Sequence, residues 1–143
     1  MVKWIKPTID TKFQIDFDWW EQKGENFRVY LWSHLCPDCQ QVYESHHGTE
    51  DIDWVDPDTA EVKRVDALWH SLQICCSRKP LFLTEQTPII DAIFRVFLAS
   101  GNTPLSPLEL YEAIGRRTPS TILRILTHGN THRGIKPAPE TDT

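Results

Sequence analysis

The chain has 143 residues, 40% of them hydrophobic and 24% charged, with a formal net charge of −5. Those proportions suit one globular domain, or two very small ones, and exclude a chain disordered throughout. No apolar run approaches the roughly 18–20 residues of a membrane span. The opening "MVKWIKPTIDTKFQ" offers no signal-peptide core, so a cytoplasmic location with no membrane partner is expected.

Thiols stay reduced in that compartment, so the four cysteines read as free, metal-binding or catalytic rather than as disulfides. Six tryptophans are many for this length. A buried indole N–H needs a partner, so they imply aromatic-lined seams or an aromatic contact surface. The charge is uneven: residues 1–83 hold 14 acids and 9 bases, while residues 84–143 hold 6 of each. Between Gly115 and Pro137 lie Arg116, Arg117, Arg124, Arg133 and Lys136 with no acid, a local basic patch on an acidic chain.

In chain order, "FQIDFDW" alternates like a short strand, while Asp18 offers a helix N-cap and Gly24 a break. "NFRVYLWSHL" sets Phe27, Tyr30 or Leu31, and Leu35 at helical spacing, and Pro37 is expected to end that helix. "DIDWVDPDTAEVKRVD" reads as a β-hairpin, with Asp56 and Pro57 suited to a type I turn. "DALWHSLQICCSRK" reads as one amphipathic helix capped by Asp66, with Arg78 and Lys79 at its end. From Thr87 on, the punctuation is regular. Thr87-Pro88, Ser106-Pro107 and Thr118-Pro119 each offer an N-cap hydroxyl followed by proline at the first helical position. Gly101, Gly115 and Gly129 offer closures. Three helices are expected over 88–100, 107–114 and 119–128, the first of them apolar nearly all round and therefore central to a core. Ser106 and Glu109 match a capping box.

The fold class expected is mainly α (α+β): N-terminal helices with a β-hairpin, packed on a C-terminal three-helix unit. A Trp-rich part spans 1–83, the three-helix part 84–137, and a frayed tail 138–143.

The order of buried helix, short extended "NTPLS", support helix, the tight turn "GRRT" and third helix resembles the winged helix-turn-helix superfamily over about residues 87–137. The resemblance implies duplex DNA binding by the third helix. The residues suit that role. Ile122, Leu123, Ile125 and Leu126 fill one arc of the helix, and Ser120, Thr121, Arg124, Thr127 and His128 fill the other. Hydroxyls and a guanidinium match phosphates and base edges, with Arg116, Arg117, Arg133 and Lys136 flanking as phosphate contacts. The chain left after the third helix is short for a two-stranded wing, so a single strand or stub is expected. Winged-helix domains also serve as protein-contact modules. A protein-interaction adaptor or homodimer using the aromatic surface is the alternative function.

"HLCPDCQ" presents Cys36 and Cys39 to one point, half of a zinc site. The other half would come from Cys75, Cys76, His34 and His70, with four ligands at most. Adjacent cysteines on a helix point about 100° apart, which makes Cys75 and Cys76 awkward joint ligands. Structural zinc held by Cys36, Cys39, one of that pair and one histidine is therefore the expected cofactor. An iron–sulfur cluster would use the same thiolates. Thiol–disulfide chemistry wants such a pair at a helix N-terminus, whereas this pair is expected to follow a helix. "ESHHGTEDID" gathers histidines and carboxylates, a third reading as a small metalloenzyme, but without ligand-fixing spacing. No phosphate-binding glycine loop or nucleophile elbow is present, so no catalytic residue is named.

Overall fold

A computed structural model describes residues 6–24, 26–43, 51–55, 57–128 and 133–138. These comprise β1 (Phe13–Ile15), α1 (Phe17–Gln22), α2 (Phe27–Ser33), α3 (Pro37–Val42), β2 (Asp51–Val55), β3 (Val62–Asp66), α4 (Ala67–Ile74), α5 (Ile89–Ala99), α6 (Pro107–Ile114), α7 (Pro119–Thr127) and β4 (Ile135–Pro137). The mainly helical class is as expected. No helix among the described residues is long and apolar enough to cross a membrane. The calls on Asp56 and on Gly129, and the "ESHHGTE" cluster, lie outside the described residues.

The chain forms two compact units. One joins the residues up to Gly24 with those from Leu83 onward; the other is the segment between, ending at Phe82. A boundary near 83 was expected, but residues 6–24 belong to the later unit. The reason is strand pairing. β1 pairs antiparallel with β4, with Phe13, Gln14 and Ile15 opposite Pro137, Lys136 and Ile135. On its other side, Phe13 exchanges both backbone hydrogen bonds with Leu105, at 2.8 and 2.9 Å. Pro137 is tolerated opposite Phe13 because the Phe13 amide and carbonyl are turned to Leu105.

Asn102 completes that edge with its side chain. Its Oδ1 accepts the Ile15 N–H at 2.7 Å and its Nδ2 donates to the Ile15 carbonyl at 3.0 Å. The Asn102 N–H meanwhile donates to Phe97 at 2.7 Å, closing α5 behind left-handed Gly101. The expected tail at 138 is partly tied, since the Ala138 N–H donates to Lys12.

α5 buries Ala92, Ile93, Phe94, Val96, Phe97 and Leu98, and so is the core helix expected. Phe13, Ile15, Leu110, Ile122 and Ile135 complete that core. Burying each large side chain stabilises by roughly 1.5–3 kcal/mol. Trp20 is buried against Phe94, and its indole N–H donates to the Arg133 carbonyl at 3.0 Å. The N-caps of α6 and α7 are those expected, including the Ser106–Glu109 capping box, and Gly115 closes α6 as expected. The Lys12 ammonium beside Glu109 holds that carboxyl below its usual range.

Three local expectations change. Asp16, not Asp18, caps α1, because Asp16 has the extended backbone a cap needs and its carboxylate accepts the Asp18 N–H. Thr87 does not cap α5, which starts at Ile89; its hydroxyl accepts the Thr84 N–H instead. Pro37 does not end a helix but opens α3, where its missing N–H costs nothing.

In the second unit β2 and β3 form the expected hairpin, with Val55 opposite Val62. Asp66 caps α4 through the N–H groups of Leu68 and Trp69 and also pairs with Arg28 of α2. Leu31, Leu35, Leu68, Leu72 and Phe82 are buried.

Gly134 has φ +75, and an added Cβ would lie 3.0 Å from Trp20 Nε1 and 3.1 Å from the Asp16 carbonyl. Left-handed strain plus overpacking predicts that Gly134→Ala lowers stability by about 2–5 kcal/mol, measured as a shift in the urea midpoint.

Candidate functional site

Two groups of side chains carry chemistry, one in each unit. The first is the thiol cluster. Cys36 is the N-cap of α3 and Cys39 lies one turn on, buried. The pair therefore follows one helix, α2, as expected, and also opens another, α3. Trp32 holds α3 in place: its indole N–H donates to the Tyr43 carbonyl at 2.6 Å and its own carbonyl accepts from Gln40 at 3.2 Å. Tyr43 in turn hydrogen-bonds Ser71 of α4 at 3.0 Å.

The expected single helix over 66–78 is broken. α4 stops at Ile74, Cys75 takes φ −118 and ψ −63, and Cys76–Arg78 form a short 3-10 turn. Lys79 caps the end of that short turn rather than of α4, and its ammonium pairs with Asp38 of α3 at 3.1 Å. That pair ties the two cysteine-bearing segments together.

The result is a trio of sulfurs. Cys36, Cys39 and Cys75 have Sγ atoms all within 4.8 Å of one another. In a tetrahedral zinc site, sulfurs about 2.3 Å from the metal lie about 3.8 Å apart, so these donors fit a single cation with small adjustment. Cys76 stands outside that mutual trio, yet its Sγ accepts the Cys36 N–H at 3.1 Å. His34 and His70 also stand outside it. The His34 ring is buried edge-on against Tyr30, with centroids 4.5 Å apart.

Cys36, Cys39 and Cys76 differ in acidity. Burial works to raise Cys36, but the nearby Cys39 N–H and the neighbouring thiols outweigh it, so its pKa falls below the ordinary cysteine value. Burial, then the Cys76, Cys36 and Cys75 thiols, push Cys39 far up. Burial pushes Cys76 up to about 11 against the lowering effect of the Cys36 N–H.

The second group is the exposed side of α7 and its flanks. Ser120, Arg124, Thr127 and His128 are exposed, as is Arg117 in the preceding turn. Ile122 and Leu126 are buried on the opposite side, as their spacing predicts. α7 contains no carboxylate. Thr121 is half-buried, and its hydroxyl accepts from Thr118 within the helix cap. Thr127 donates to the Leu123 carbonyl at 2.8 Å, which leaves its oxygen able to accept.

Two of the cations expected to flank this face are engaged inside their own unit. Arg116 is half-buried and donates to the carbonyls of Thr84 and Thr87 at 2.7 and 2.8 Å. Lys136 pairs with Asp16 at 3.3 Å. Arg133 is exposed, with its backbone carbonyl accepting the Trp20 indole. Nothing in the local sequence distinguishes Arg116 from Arg117. The left-handed φ of +66 at Arg117 turns the two side chains to different ends.

No protein-family model, curated protein or solved structure matches this chain.

Arg116 is thus a structural tie. Arg116→Ala leaves two carbonyls without their charged donor and is expected to cost about 1.5–3 kcal/mol, whereas Ser120→Ala stays within about 0.5 kcal/mol. Denaturant midpoints of the two variants check this.

Proposed function

We propose that the unit containing α5, α6 and α7 is a winged-helix-like module that binds duplex DNA through the exposed side of α7. The observation that carries this reading is the α7 face itself. It offers hydroxyls, a guanidinium and an imidazole, has Arg117 beside it, and includes no carboxylate. The helix is long enough to present these groups while Ile122 and Leu126 anchor it to the core.

The order of elements supports the reading. A buried helix, the Leu105 bridge, a support helix, a four-residue turn, a third helix and a terminal strand follow one another. β1 lies between Leu105 and β4 as the middle strand, so the strand beside β4 comes from before α5.

Among the described residues, an adaptor that docks through tryptophans has less to offer. Trp19, Trp20, Trp32 and Trp69 are buried or half-buried. Two of their indole N–H groups already donate to backbone carbonyls.

DNA contact by this face requires a steep fall in affinity with salt. Replacing Arg117 and Arg124 with alanine reduces the slope of log K against log salt by about 1 per arginine. Titration of fluorescent duplexes at several salt concentrations measures it. An unchanged slope in the double variant sinks the reading. Arg116 is kept out of this test because its loss perturbs the fold.

In the other unit, we propose that the cysteine trio holds a structural zinc ion. When bound, zinc supplies a cross-link between α3 and the end of α4. Cys36, Cys39 and Cys75 contribute soft sulfur donors at one point, while Lys79–Asp38 and Asp66–Arg28 orient the segments that carry them. A segment of this size has a small core, and such segments commonly depend on a staple. Thiolates must replace thiols on binding, so affinity falls as pH falls. Freshly purified protein should contain one equivalent of zinc, released by chelator or by mild acid with loss of helical circular dichroism. Four freely titrating thiols and no metal would dispose of the site.

A further inference from the structure

We infer that Cys76 is the fourth ligand of that metal, so that the adjacent pair Cys75 and Cys76 both join Cys36 and Cys39 around one zinc-class cation; this rests on the metal reading above. Adjacent residues on a regular helix diverge by about 100°, which would send one of the two sulfurs away. The backbone here is not a regular helix. α4 ends at Ile74, Cys75 departs to φ −118 and ψ −63, and Cys76 begins a tighter turn. That break lets neighbouring residues aim at one point.

The position of Cys76 is the second observation. Its side chain is 1% exposed. A buried cysteine acting only as a small apolar filler asks for no hydrogen bond. This sulfur instead accepts the Cys36 N–H at 3.1 Å, which places it beside the backbone of a trio member.

Among the described residues, nitrogen donors are poorer candidates. His34 and His70 are outside the sulfur group, and the His34 ring is stacked edge-on against Tyr30. Four thiolates around a dication leave a net charge of −2. The Cys36 N–H at Cys76 and the Cys39 N–H near Cys36 offset part of it. As each sulfur takes the cation, its S–H proton leaves to solvent, so no oxidant or reductant is needed.

Cobalt(II) loaded into the full chain is the probe, because its spectrum counts thiolates. The wild type should bind one equivalent with tetrahedral ligand-field bands and the charge-transfer intensity of four sulfurs. Cys76→Ser should lose roughly a quarter of that intensity, the share of one thiolate in four, and bind more weakly. His34→Ala and His70→Ala should leave the spectrum unchanged. Cys76→Ser with unchanged spectrum and affinity overturns the fourth ligand but leaves the metal site standing. A wild type that binds neither cobalt nor zinc overturns both. Should Cys76→Ser fail to fold, X-ray absorption of the zinc-loaded wild type decides. Four sulfur neighbours support the inference, and three with one nitrogen or oxygen overturn it.

Discussion

The unit that carries α7 depends on the pairing of three residues, Phe13–Ile15, on both of their edges. On one side they pair with β4. On the other they meet the backbone of Leu105 and the side-chain amide of Asn102. Every backbone N–H and C=O of a buried strand needs a partner, and here the two ends of the chain and the α5–α6 connection supply them jointly. Phe13 and Ile15 then point into the core against α5, at 0% and 1% exposure. The polar accounting of β1 and the burial of its side chains are one constraint. It explains why Gly134 must be glycine, why Asn102 takes a left-handed backbone, and why residues before Gly24 belong with residues after Leu83.

The same principle of shared duty runs through the second unit. Asp66 caps α4 and pairs with Arg28 of α2. Lys79 reaches Asp38 across the cysteines. A short segment with few large buried side chains gains most when one polar group does two things. The helix break at Cys75 belongs with these: it loses a turn of regular helix but turns sulfur toward Cys36 and Cys39.

Charge shows how tertiary contacts redistribute what composition suggests. The stretch from Gly115 to Pro137 reads as one basic patch. Folding divides it. Arg116 is drawn inward to two carbonyls, Lys136 is neutralised by Asp16, and Arg117 and Arg124 stay exposed. The cations that stay exposed are fewer than the patch suggests: Arg124 on α7, Arg117 in the turn before it and Arg133 ahead of β4.

What the sequence determined by itself was local. Hydroxyl–proline starts set α6 and α7, glycine closures set the ends of α5 and α6, 3.6-residue periodicity runs through all three, and period-two alternation set the hairpin. These signals act over a few residues, so they are legible without a partner. The proximity of Cys36 and Cys39 was legible for the same reason. Tertiary structure alone decided which distant groups meet. The spacing within Phe13–Ile15 says strand, but nothing in it names Leu105, Asn102 or β4. The run from Asp66 to Lys79 has helical spacing throughout, yet α4 stops at Ile74 and a 3-10 turn follows. Arg116 and Arg117 are chemically alike and adjacent; a left-handed backbone at one of them assigns the first to the fold and the second to the surface. Long-range pairing leaves no periodic trace in either partner, because each residue's local preference is satisfied whichever segment completes it.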